Sequence, residues 1–199
     1  MAVSKPQRIV MHWTAGGHDM SDSDYEKYHE VVEGDGTRRL CKRRPEANND
    51  TSDGDYAAHV RAKNTGSIGL AMCCMAGAQE RPFKKGSHPM TDVQLNVFID
   101  MVAEYAETYD IPIDRRHVLS HEEVDVTLGV PQDKWDIMWL PHMAKPGNVV
   151  EVGDFLRERI TAAQKKKFRS TQPVYAGLDE DDLIERIVAR LKQELASGP

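Results

Sequence analysis

Two histidines, a lysine and an aspartate are the residues of this 199-residue chain whose types could do hydrolytic chemistry. His12 and His121 each follow a short apolar run, and Lys134 and Asp136 lie in the irregular segment beyond the second histidine. Two imidazoles and a carboxylate suit Zn²⁺ and leave a fourth position for water, whose pKa the metal lowers to about 7. Lys134 would place a positive charge beside a developing oxyanion. A histidine beside apolar residues is also typical of a buried structural residue, so a metallohydrolase is one of two interpretations.

Both histidines lie at the ends of predicted strands. Residues 8–15 have the apolar, β-favouring composition of a central strand. Residues 67–75 predict a second central strand, in which Gly69 marks a close approach of another group to the backbone. Residues 28–41 predict a hairpin around a glycine-rich turn, and residues 116–121 predict a short strand that ends at His121.

Two helices complete the predicted domain. Thr91 and Gln94 have the spacing of a capping box ahead of an apolar helical face, and Pro112 ends that helix. Residues 154–167 predict another helix, with Asp154 at its beginning and lysines at its end, as the helix dipole favours. The predicted fold class is α/β, with a mixed central β-sheet flanked by helices.

The chain divides into three predicted parts. Residues 1–165 form the catalytic domain, residues 166–178 a linker, and residues 179–199 an amphipathic helix. The apolar face of this C-terminal helix predicts a contact either with the domain or with a second copy of the chain, which would make a homo-oligomer.

Composition excludes several classes of protein. The net charge of -6 argues against a nucleic-acid partner, and no apolar run approaches the roughly 18 residues of a transmembrane segment. Residues 1–6 lack the apolar core of a signal peptide, which predicts synthesis in the cytoplasm without a secretion signal. Three cysteines without a C-x-x-C spacing predict buried free thiols rather than disulfides or a cysteine-rich zinc site.

Four segments of the chain carry a family resemblance, and in order they are residues 9–15, residues 28–36, residues 58–69, and Ser120-His121 followed by Lys134-Trp135-Asp136. Together, over roughly residues 8 to 160, they resemble the zinc-dependent N-acetylmuramoyl-L-alanine amidases, the amidase-2 group that includes phage lysozyme-amidases and animal peptidoglycan recognition proteins. The resemblance implies hydrolysis of the amide between N-acetylmuramic acid and L-alanine of the stem peptide, with Zn²⁺ as cofactor and peptidoglycan or muropeptides as partners.

The resemblance also implies a role for each matching residue. Zn²⁺ would be bound by His12, His121 and Asp136, while Lys134 would stabilise the tetrahedral intermediate and Tyr28 would orient the metal-bound water. Three further residues would line the groove or brace the sheet beside it, namely His59, Asn64 and Ser67. A purely structural role remains an alternative for two of these residues, since Tyr28 could be a half-buried strand tyrosine and His59 a structural histidine.

The chain departs from the family pattern at three places. Met11 precedes His12 where many members carry a second histidine, so only one ligand comes from this segment. Ala71 replaces the glutamate of the cytosolic recycling members, which shifts the polarising role to Tyr28. Ile-Met follows Asp136 instead of the common Pro-Gly, which leaves Asp125 and Asp133 as alternative ligands.

The biological setting predicted by this pattern is that of a phage or prophage endolysin, which acts on the cell wall after release from the cytoplasm. Two alternatives remain. One is a cytosolic amidase that recycles muropeptides, against which the alanine at position 71 counts. The other is a non-catalytic peptidoglycan-binding module.

Overall fold

A five-stranded mixed β-sheet forms the centre of the protein, in the order β3-β2-β4-β1-β5. The computed structural model describes residues 2–171, with side chains for residues 2–166. Its strands are β1 Arg8–Trp13, β2 Glu30–Val32, β3 Arg38–Leu40, β4 Ser67–Met72 and β5 Val118–Ser120. Every neighbouring pair is parallel except the β2–β3 hairpin. The predicted mixed sheet and its hairpin are confirmed.

Helices and a long irregular segment cover the two faces of the sheet. The helices are α1 Asp22–Lys27, α2 Asp92–Thr108, α3 Glu123–Leu128 and α4 Val149–Thr171, and a 3₁₀ helix spans Pro45–Asn49. Among the helices within residues 2–171, none has the length and apolarity that crossing a bilayer requires.

The two faces of β1 are buried in different surroundings. Ile9 and Met11 belong to the main core, which also holds Phe98 of α2 and Leu156 of α4. Val10 points to the opposite face, where it clusters with Val60, Leu119 and Val124. Because successive strand residues alternate between faces, His12 follows Val10 onto this second face.

Gly69 in β4 allows the close approach that the sequence predicts. A Cβ atom at this position would overlap the imidazole of His59, and the Gly69 amide donates a hydrogen bond to Nδ1 of His29. Two buried rings therefore lie against the backbone of β4 where any larger residue would exclude one of them.

The predicted capping box of α2 is only half formed. Thr91 accepts a hydrogen bond from the amide of Gln94, as an N-cap should. The Gln94 side chain, however, donates to the carbonyls of Val32 and Cys73 at 2.8 and 3.0 Å. A glutamine buried against two strand ends satisfies those carbonyls instead of returning to the cap. The helix ends at Thr108, before Pro112, as predicted.

Helix α4 begins five residues earlier than predicted. The Oδ1 atom of Asn148 accepts hydrogen bonds from the amides of Val150 and Glu151, so this residue caps the helix. The interpretation of Asp154 as an N-terminal aspartate is therefore wrong. The helix continues to Thr171, which places the first residues of the predicted linker inside it. The rest of the linker and the predicted helix 179–199 lie outside the described residues.

The structure also tests the sequence predictions for the cysteines and for Tyr28. Cys73 and Cys74 are buried free thiols in separate apolar clusters, as predicted, whereas the free thiol of Cys41 is only partly buried. Tyr28 does not begin a strand but forms the C-cap of α1, and β2 starts two residues later.

A buried ion pair holds α4 against α3 and the edge strand β5. Arg157 donates to both carboxylate oxygens of Glu123, at 2.8 and 3.1 Å, and to the carbonyl of Val118 in β5. Glu123 in turn accepts the amide of Ser120, the residue before His121. The carboxylate fills the space where Gly153 of α4 lacks a Cβ atom.

We expect Arg157→Met to lower the free energy of unfolding by about 3–5 kcal/mol, because it leaves the Glu123 carboxylate buried without its cation. Chemical denaturation followed by circular dichroism measures the change. Arg159→Met on the same helix is the matched control, and its more exposed side chain should cost less than about 0.5 kcal/mol. Equal losses in the two variants would show that the ion pair does not stabilise the fold.

Candidate metal centre

The parallel pairing of β1 with β5 brings two distant histidines together. Met11 is in register with Ser120, so His12 and His121 leave their strands side by side. The amide of His121 donates to the carbonyl of Met11 at 3.0 Å, which continues the ladder by one bond. As a result the two Nδ1 atoms are 3.0 Å apart, although 109 residues separate them in the chain.

Asp136 completes a triangle of possible metal ligands. Its Oδ2 atom is 3.3 Å from Nδ1 of His12 and 3.3 Å from Nδ1 of His121. The carbonyl of Asp136 accepts the amide of Glu122, which ties its loop to the residue after His121. All three side chains are buried. The sequence-predicted ligands are thus brought together.

The donor set fits Zn²⁺ in both chemistry and spacing. A tetrahedral ion with bonds of about 2.0–2.1 Å has ligand atoms about 3.3 Å apart, close to the observed edges of 3.0 to 3.3 Å. Among the described side chains, the group able to hold a metal consists of His12, His121 and Asp136. The alternative ligands lie elsewhere, since Asp125 accepts the amide of Gln132 and Asp133 is exposed beside Arg61.

The electrostatics of the site favour the protonation states that bind a metal. Burial, with a contribution from the charge of His121, lowers the pKa of His12 to about 4 and keeps that ring neutral. Burial opposes ionisation of Asp136, but the His12 and His121 rings, each 3.3 Å from its Oδ2 atom, outweigh it and hold the pKa of this carboxyl below its usual range. A neutral imidazole and a carboxylate are the forms that coordinate Zn²⁺.

An open groove of about 670 Å³ runs over this triangle. His121 and Asp136 line its floor, and Trp13 packs against Trp135 at one wall with ring centroids 4.7 Å apart. Three cationic side chains also line the groove, namely Lys27, Arg61 and Lys134. Asp133 lines the groove as well and is paired with Arg61, so the cations exceed the carboxylates of the lining by one, and the opening has room for an extended polar ligand.

Tyr28 and Lys134, the two predicted catalytic residues, both lie at the groove. The ring of Tyr28 is 5.2 Å from that of His12, between centroids. Burial, followed by the charge of Asp136, raises the pKa of Tyr28, so its phenol remains a hydrogen-bond donor. Lys134 is exposed on the groove wall, and its charge contributes to the lowered pKa of His12.

The three residues predicted to line the groove or brace the sheet fall into different places. His59 lines the groove but is largely buried, with Nδ1 at 3.1 Å from Nε2 of His12 and Nε2 at 3.2 Å from the carbonyl of Ser67. Asn64 accepts the amides of His59 and Val60 and also lines the groove. Ser67 begins β4 and lies away from the groove. Its hydroxyl accepts a hydrogen bond from the Arg8 guanidinium and donates one to the backbone carbonyl of Lys63.

Gln132 is a residue of the site that sequence reasoning missed. Its Oε1 atom is 3.1 Å from Nε2 of His121, and its side chain is buried between two loops. A glutamine in an irregular segment carries no periodicity or spacing that would mark it. Lys27 and Arg61 were missed for a similar reason, because isolated surface cations are common in any sequence.

Comparisons with known proteins identify the family and the fold. A family model described as N-acetylmuramoyl-L-alanine amidase matches residues 2–147. The structure of the Staphylococcus aureus hydrolase AmiA with its ligand superposes with a TM-score of 0.53 at 16% identity, covering 86% of this chain and 78% of that one. No curated protein sequence shows a significant match.

Two further structures are similar at lower scores. The Escherichia coli amidase AmiD, in complex with a muropeptide substrate, has a TM-score of 0.45 and 20% identity, and the match covers 67% of this chain and 56% of that chain. Drosophila peptidoglycan recognition protein SA has a TM-score of 0.43 and 13% identity, with 74% and 87% covered. Since the family model spans most of the sequence, the chain belongs to the N-acetylmuramoyl-L-alanine amidase family.

Proposed function

We propose that this protein is a zinc-dependent hydrolase that cleaves the amide bond between N-acetylmuramic acid and L-alanine of the peptidoglycan stem peptide. The observation that carries the proposal is the buried triangle of His12, His121 and Asp136 at the floor of an open, cation-lined groove. Family membership supports the choice of substrate.

The three ligands would hold Zn²⁺, which when bound supplies a Lewis acid and a water molecule of lowered pKa. The residues around it would do the rest of the chemistry. Lys134, at the groove wall, would bind the carbonyl oxygen of the scissile amide as negative charge develops there. The amine of L-alanine leaves with the proton that the attacking water gives up.

Tyr28 would position that water through its phenol. Ala71, the residue in register with His12 on the neighbouring strand, has no side chain able to accept a proton. The pKa of Tyr28 is raised by burial, which suits a donor that orients water rather than a base that removes its proton.

The groove favours anionic substrates of the kind that peptidoglycan stems offer. Lys27, Arg61 and Lys134 outnumber the two carboxylates of its lining, and a bound Zn²⁺ would add to the positive field that attracts carboxylates. We further propose an endolysin role on the host cell wall, since the residue at position 71 is an alanine rather than the glutamate of recycling enzymes. A non-catalytic binding module would require no complete ligand set, whereas all three ligands are present here.

The first test is zinc content with and without His121. The purified chain should contain about one zinc ion, and His121→Ala should lose most of it together with cleavage of muramoyl-alanine substrates, because one of three protein ligands is removed. His117→Ala, an exposed histidine on the same segment, is the control. Full zinc retention in His121→Ala would refute the ligand assignment. Zinc without cleavage by the wild type would favour the binding module.

Lys134→Met should keep its zinc and lower kcat by roughly 10²–10³, the usual cost of losing one oxyanion donor. Paired measurements of metal content and turnover check this, with Lys145→Met as the control because Lys145 lies outside the groove. A drop in zinc content equal to the drop in turnover would assign Lys134 to metal retention instead.

Tyr28→Phe should lower kcat by roughly 10²-fold with unchanged KM and zinc content, because only the hydrogen bond of the phenol is lost. Steady-state kinetics on a soluble muropeptide measure both constants. Tyr25→Phe serves as a control on an exposed tyrosine of α1. Wild-type turnover in Tyr28→Phe would show that the phenol plays no part in the reaction.

A further inference from the structure

We infer, building on the proposed function, that His59 and Gln132 are positioning residues that hold both ligand imidazoles in the tautomer with Nδ1 free. Neither residue contacts the metal position directly. Each contacts the far nitrogen, Nε2, of one ligand: His59 that of His12, and Gln132 that of His121.

The tautomer of His12 follows from a chain of two hydrogen bonds that ends on a backbone carbonyl. The carbonyl of Ser67 can only accept, so Nε2 of His59 carries the proton in their 3.2 Å contact. A neutral imidazole has one N–H group, which makes Nδ1 of His59 an acceptor. This atom lies 3.1 Å from Nε2 of His12, which must therefore donate. Nδ1 of His12 is left with its lone pair.

The tautomer of His121 follows from the orientation of the Gln132 amide. The NH₂ group of Gln132 faces two carbonyls, those of Arg61 at 3.1 Å and Val130 at 3.0 Å. Its Oε1 atom consequently faces Nε2 of His121 and also accepts the amide of Arg61. Nε2 of His121 donates to that oxygen, and Nδ1 is again the free atom.

The opposite arrangement is unfavourable on both sides. If neutral His12 carried its single proton on Nδ1, its Nε2 atom would be an acceptor, and Nδ1 of His59 would have to donate to it. Nε2 of His59 would become an acceptor facing the carbonyl of Ser67. Two acceptors would also meet between His121 and Gln132 if the proton of His121 moved to Nδ1.

The consequence is a cluster of three acceptors at short range. Two lone pairs lie 3.0 Å apart, and a carboxylate oxygen is 3.3 Å from each. A cation between them converts this repulsion into coordination. Residues that hold a ligand imidazole in this way typically contribute 10- to 100-fold to metal affinity.

His59 and Gln132 also line the groove, but the contacts that hold them in place fit a positioning role better than substrate contact. Both nitrogens of His59 are engaged, and its ring lies on Gly69, where a Cβ atom would displace it. Asn64 holds the backbone of His59 by accepting its amide. The backbone amide of Gln132 donates a hydrogen bond to the carboxylate of Asp125, which holds this residue in place.

The test measures zinc affinity by competition with a chromogenic chelator in variants that remove or retain the acceptor. His59→Leu and Gln132→Met remove it and should weaken zinc binding roughly 10- to 100-fold. His59→Asn retains an acceptor oxygen close to the position of Nδ1 and should recover most of that loss. His117→Leu, at an exposed histidine bonded to Asp114, should bind zinc as the wild type does.

A second readout does not depend on the variants folding or on the metal. Nitrogen-15 ring shifts of the metal-free wild type should show Nε2 protonated and Nδ1 bare in both His12 and His121. Protonation at Nδ1 of either ring would overturn the inference. So would wild-type zinc affinity in His59→Leu, or a His59→Asn variant as weak as His59→Leu. If the wild type binds no zinc, the proposed function fails, and the ring shifts alone then decide the tautomers.

Discussion

The parallel pairing of β1 with β5 is the constraint on which the candidate metal centre depends. Its register sets Met11 beside Ser120, so the next residue of each strand carries an imidazole to the same edge and the same face. A slip of one residue would send one of these rings into the apolar core on the other face of the sheet. The register of β1 therefore does more than stabilise the fold, because it sets the distance between two possible metal ligands.

The two faces of the sheet have different roles, since one buries the main apolar core and the other positions polar side chains near the candidate site. One face buries the main apolar core under α2 and α4. The other carries polar side chains that are hydrogen-bonded to one another or to backbone. His29 accepts the amide of Gly69 and donates to Asn48, whose amide group holds the carbonyl of Ala57. These hydrogen bonds fix the irregular segment 50–66 against the sheet. They place His59 beside His12 although His59 belongs to no helix or strand.

Sequence reasoning predicted the features that have local signals. Continuous apolar, β-favouring runs marked the central strands, and the family resemblance supplied the three residues that the structure brings together as possible ligands. It failed where a polar side chain serves a carbonyl far along the chain, as with Gln94, or a ring far along the chain, as with Gln132. Nothing in the neighbouring residues distinguishes such a glutamine from a solvated one. The same reason explains the wrong prediction that Asp154 begins α4. Its carboxylate pairs with Arg115 and Arg157, while Asn148 caps the helix.

The structural elements that hold the three proposed ligands are more rigid than those that carry the cations of the groove. His12 is held by a central strand, and His121 follows an edge strand locked by the Arg157–Glu123 pair. Asp136 is tied to Glu122 through the backbone. Lys27, Arg61 and Lys134, by contrast, lie at exposed positions around the opening. Coordination tolerates errors of only a few tenths of an ångström, so its residues need rigid elements, whereas charges that attract a substrate act over several ångströms. Under the proposed function, substitutions among the groove cations should therefore change substrate preference while leaving the arrangement of the three proposed ligands intact.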